Sequence, residues 1–164
     1  MIQRAAGELR RVELELKYRA AAKLPGLNGK GWPQKIEEDW FRGPSGVPRN
    51  PLVSLERPWV DIAAGEELEM DHPALKMTAD PRLAGFWYNP NLGVVRARVP
   101  VMVSDEDSLE LYNRVNGTHL ASIFGAALKP RGEEAVSAEN RPGSAGAPAF
   151  EITSTGQVRR RSKE

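Results

Sequence analysis

The residues with chemical capacity in this 164-residue chain are few and scattered. His72 and His119 are the two histidines, and neither has a zinc-type partner at short spacing. Either would serve as a base only with a nucleophile brought to it by the fold. The densest polar run is Glu66, Glu67, Glu69, Asp71 and His72. In a strand, alternate positions would aim Glu67, Glu69 and Asp71 at one hard cation. The glycine-placed spacing of a calcium loop is missing, so a solvated acidic loop is the preferred reading. No cysteine is present, which excludes disulfides, thiolate metal sites and a cysteine nucleophile. The chain holds no G-x-S-x-G, no phosphate-cradling glycine loop and no dinucleotide fingerprint. Neither catalysis, a metal, a cofactor nor a small-molecule substrate is expected.

Charge and aromatics open two binding readings. A formal net charge of +1 argues against a general attraction to nucleic acid or anionic membranes. Arg159, Arg160, Arg161 and Lys163 form a local basic run that could touch phosphates. With no aromatic interleaved for base stacking, a solvated tail is preferred and no nucleic-acid partner is expected. Trp32, Trp40, Trp59 and Trp87 could line a carbohydrate cleft, but filling a core is the preferred role. Trp32 and Trp40 sit in loops and are the candidate exceptions as ligand contacts. Asn116-Gly117-Thr118 matches a glycosylation triplet, which the end of a helix explains as well.

The elements that would position these residues read more clearly. Ile2, Ala5, Leu9, Val12 and Leu16 alternate in steps of three and four, a narrow helical seam running through residues 1–24. Leu14 and Tyr18 lie on a second face. That face is expected to pack the later turns on a domain while the first half of the helix projects. Leu24-Pro25-Gly26 ends the helix. Prolines and large apolar residues interleave through 25–58, as in an ordered loop over a core, with a short helical turn expected at Ile36–Phe41. Phe86-Trp87-Tyr88, a turn through Asn89-Pro90-Asn91-Leu92-Gly93, and then Val94 to Val103 predict a hairpin. In its second strand Val95, Ala97 and Val99 face inward, with Arg96 and Arg98 outward. Trp59–Ile62 is the expected third strand of a small antiparallel sheet. A second helix follows the N-cap Ser104, presents Leu109, Tyr112 and Val115 on one face, and stops at Asn116-Gly117. After Leu128 only Phe150 is aromatic. Residues 129–164 are therefore read as a flexible tail with a last strand near Phe150–Val158, behind a head at 25–128. The predicted class is α+β, a helix on a small antiparallel sheet.

This order of parts resembles type IV pilins and type II secretion pseudopilins. The hairpin Gly85-Phe86-Trp87-Tyr88-Asn89-Pro90-Asn91-Leu92-Gly93-Val94-Val95-Arg96-Ala97-Arg98 carries the similarity. Gly31-Trp32-Pro33 and Gly46-Val47-Pro48-Arg49-Asn50-Pro51-Leu52 resemble the loop after the pilin helix. The similarity covers about residues 1 to 103. It implies a non-catalytic filament subunit of a secretion pseudopilus or pilus, in the periplasm or at the cell surface. Its partners would be other pilin-like subunits, reached through the helix seam. A membrane would be met only through a hydrophobic segment that is not in this chain. An extracytoplasmic module binding carbohydrate or a protein through Trp32 and Trp40 is the alternative.

Overall fold

The computed structural model describes residues 1–125, and the expected tail and last strand lie outside the described residues. Helix α1 runs Ile2–Ala21. It ends where Lys23 adopts a left-handed φ of 51° and the Leu24 N–H returns to the Arg19 carbonyl at 3.1 Å. This closure satisfies carbonyls that would otherwise be left open at the helix end. Strand β1 is Val60–Ile62, β2 is Phe86–Asn89, β3 is Val94–Ala97, and helix α2 is Asp105–Asn116. A 3₁₀ turn occupies Glu38–Phe41, inside the segment where a helical turn was expected.

The sheet is mixed, with strand order β1-β2-β3, which corrects the antiparallel expectation. β2 and β3 form the expected hairpin, pairing Phe86 with Ala97 and Asn89 with Val94. β1 instead lies parallel to β2, with Val60 opposite Phe86 and Ile62 opposite Tyr88. The connection through residues 63–85 is long enough for the return crossover that parallel pairing needs. It contains a second 3₁₀ turn at Gly65–Glu69.

β3 is also shorter than the run to Val103 implied. The backbone of Val99 leaves the hairpin and bonds the segment before β2, through Lys76 O at 3.0 Å and Thr78 N at 2.9 Å. Pro100 has no N–H with which to continue a ladder. α2 follows its sequence signals closely. The Ser104 hydroxyl accepts from Asp107 N at 3.0 Å, and Gly117 closes the helix at φ 61°.

Helix and head are one unit. Ala5, Leu9, Val12 and Leu16 are buried with Phe86, Tyr88, Val95, Ala97 and Val115, and Ile2 packs at the edge. Each buried Leu or Val contributes about 1.5–3 kcal/mol on leaving water. The first half of α1 therefore does not project; its seam is part of the core. A smaller cluster of Val99, Tyr112 and Ile123 lies beneath α2.

Candidate assembly surface

The two faces of α1 are covered in the opposite way to that expected. The seam lies against the chain's own sheet. Leu14 and Tyr18, expected to pack on the head, are 54% and 61% exposed. Gln3, Gly7, Leu14, Tyr18 and Ala21 recur at steps of three, four and seven, which places them on one stripe opposite the seam. Arg10 and Lys17 border this stripe on one side and Arg4 on the other, all exposed. Two neighbouring pairs are neutralised within the helix, Arg11 with Glu8 and Arg19 with Glu15, both at 2.7 Å. Arg4, Arg10 and Lys17 take part in no ion pair among the described residues. The outer face is thus a partly apolar stripe between cations.

The loop after α1 ties back to the hairpin. Asn28 Nδ2 donates to Pro90 O at 2.7 Å, across to the hairpin turn, while its Oδ1 accepts from the N–H groups of Lys30 and Trp32. The Trp32 ring then lies flat on Gly93. A Cβ built at Gly93 would fall 2.1 Å from Trp32 Cε2, and the φ of 66° there also favours glycine. Tyr88 donates its hydroxyl to Pro33 O at 2.7 Å, and burial pushes that phenol's pKa up. The two segments behind the pilin resemblance therefore touch each other. Trp32 is occupied in this contact. Trp40 lies under the Arg19 guanidinium, 3.8 Å from its carbon, beside an open groove of about 500 Å³ that also includes Pro25, Gln34 and Glu37.

No family model, curated protein or solved structure matches the chain.

Of the polar residues with chemical capacity, Glu67 and His72 are engaged by other side chains. Glu67 belongs to a 3₁₀ turn rather than a strand, so Glu67, Glu69 and Asp71 are not aligned as a ligand row. Glu67 accepts from the Trp87 indole at 3.2 Å. Among the described residues no group of three His, Asp or Glu side chains could hold a metal ion. His72 is buried and shares a 3.0 Å hydrogen bond between its Nδ1 and the Tyr112 hydroxyl. Burial, with the positive charges of Arg96 and Lys76, lowers its pKa to about 4. His119 is exposed beyond the end of α2.

Four polar residues, each inside a motif read for another reason, hold the head in shape. Arg98, expected to face outward, is buried. It pairs with Asp61 of β1 and donates to Ala84 O at 3.0 Å and Leu75 O at 2.8 Å. Asn50 Nδ2 donates to Gly85 O at 3.0 Å and Arg98 O at 2.7 Å. Asn89 Nδ2 lies within 3.0 Å of the carbonyls of Glu67, Leu68 and Met70. Asn116 covers the free edge of β3, its amide accepting from Ala97 N at 2.8 Å and donating to Ala97 O at 2.9 Å. The glycosylation triplet is thus explained by an edge contact as well as by the helix end. Asn50, Asn89 and Asn116 also bond locally, to Leu52 N, Asn91 N and Tyr112 O, but no spacing rule would have found the long-range contacts, because those partners are distant in sequence.

Proposed function

We propose that this chain is the head and lower helix of a pilin-like subunit of a bacterial secretion pseudopilus or pilus, whose mechanism is assembly rather than catalysis. The observation that carries the reading is α1 itself. One stripe anchors it to the head, and the opposite stripe of Gly7, Leu14 and Tyr18 stays in water between cations. A helix with a second apolar stripe is suited to lie against equivalent helices of neighbouring copies, and burial there would stabilise packing at about 25 cal/mol per Å². This revises the assembly face from the seam to the side opposite it. The hairpin and loop motifs are in mutual contact, which supports the reading. No helix among the described residues is long and apolar enough to cross a membrane. In this reading a hydrophobic segment continuous with α1 lies upstream in the intact protein and provides the membrane anchor. The test is the coding sequence immediately upstream of Met1. An in-frame apolar stretch of about 20 codons behind a basic leader is expected. A native start at Met1, shown by N-terminal sequencing of the protein from its source, would refute the reading.

A further inference from the structure

We propose that the head also carries a heterologous contact to a second copy of this chain, in which the Val101–Asp107 segment of one copy seats in a groove beside the first turn of α1 in the next. The proposal rests on the reading of the chain as a self-assembling subunit and adds the head surfaces that would meet. The groove, about 430 Å³, lies between α1 and the proline-rich loop. Met1, Val47, Pro51 and Leu55 give it an apolar lining, with Ser45, the cations Arg4 and Arg49, and Glu8, whose charge Arg11 neutralises, beside them.

The other surface has the complementary character. Val101, Met102 and Val103 are three consecutive exposed apolar residues, and Val103 is fully exposed. Three acids, Asp105, Glu106 and Asp107, follow directly in the first turn of α2. Those acids take part in no ion pair among the described residues, and neither does Arg4, while Arg49 pairs with Glu38 at 2.8 Å and lies 5.8 Å over the Trp59 ring. An apolar projection followed by acids thus matches an apolar groove flanked by cations. Complementary charges steer and register such a contact, while apolar burial supplies its strength. The two surfaces share no residue, so the contact is head-to-tail. Such a contact propagates into rings or open filaments instead of closing a symmetric dimer.

The experiment uses the full chain in sedimentation velocity over a concentration series at low and high salt. Wild type is expected to associate with concentration, and less so in high salt. Arg4→Glu with Arg49→Glu should weaken association about tenfold or more, as should Asp105→Lys with Asp107→Lys. Mixing the two variants, or combining all four substitutions in one chain, should restore it. Val103→Asp lies on a fully exposed side chain and, in a chain whose helix contact is removed by Leu14→Asp, should abolish the remaining association while far-UV circular dichroism stays unchanged. A wild type that stays monomeric throughout overturns the proposal. So does association of the Leu14→Asp chain that survives Val103→Asp and both charge reversals, a result that would place the contact on another surface. Neither outcome bears on the coding sequence upstream of Met1, so the subunit reading would stand or fall separately.

Discussion

Replacing Gly93 by alanine perturbs the chain in two separable ways. The backbone there has φ 66°, and forcing an L-residue into that region costs roughly 1–2 kcal/mol. Stiffening of the unfolded chain by alanine offsets about 0.4–1 kcal/mol of this, leaving a net of about 1 kcal/mol. The second cost is steric, since the new methyl would lie 2.1 Å from the Trp32 ring and the ring must move away. Trp32 is half-buried, so losing its packing is set at about 2 kcal/mol, below the 3–5 of a fully buried aromatic. Gly93→Ala should therefore destabilise by about 3 kcal/mol and Trp32→Ala by about 2 kcal/mol. In the double variant no ring remains to be displaced, so the total should be about 3 kcal/mol, not the additive 5. Urea unfolding followed by far-UV circular dichroism measures all three without relying on the altered fluorophore. Costs that add to within about 0.5 kcal/mol would mean that Trp32 does not rest on Gly93, and the account of how the loop is held would fail. A near-zero cost for Trp32→Ala would return that residue to the candidates for ligand contact.

Other expectations follow from the buried polar contacts. Asn50→Asp replaces a donor to two carbonyls with a carboxylate facing them, and should destabilise by about 3 kcal/mol in urea unfolding. Asn116→Ala strips both partners from Ala97 and opens the edge of β3. A loss of about 2 kcal/mol is expected, with concentration-dependent aggregation visible by light scattering. The pH dependence comes from His72, whose pKa in the fold is about 4 against an ordinary 6.5. As pH falls, the unfolded chain takes this proton first. Stability should therefore be full above about pH 6.5, decline between 6.5 and 4 and then level off. The decline attributable to this group is at most about 3–4 kcal/mol, at about 1.4 kcal/mol per pKa unit. His72→Gln should remove that slope from unfolding curves taken across the window. Loss of stability persisting unchanged in the variant would assign the acid sensitivity to carboxylates instead.

The elements legible in the sequence are those specified by neighbours. The α2 boundaries follow from Ser104 and Gly117, and the hairpin from its aromatic flank, Pro90 and Gly93. What was not legible depends on partners far along the chain. Alternation in Val94–Val99 assigned Arg98 to the solvent side, because periodicity registers residue types and not an Asp61 lying 37 positions away. That pair joins the buried Arg98, just after β3, to the part-exposed Asp61 of β1, on the far side of β2. The orientation of β1 was equally hidden. Trp59–Ile62 carries a strand signal but no local mark of direction, and the 63–85 connection that permits parallel pairing reads only as loop.

The same distinction explains α1. Periodicity identified an apolar stripe and was right that Ala5, Leu9, Val12 and Leu16 are covered, but a stripe does not state what covers it. Because the head itself covers the seam, any assembly through α1 must use the opposite side, where Leu14 and Tyr18 stand among cations. Substitutions on the two sides should then separate cleanly. Leu9→Ala acts on folding, because it hollows the core, whereas Leu14→Asp leaves the fold intact and acts only on contacts between copies. The folding consequence requires only that the seam is buried. The assembly consequence requires in addition that a neighbour lies against the outer stripe.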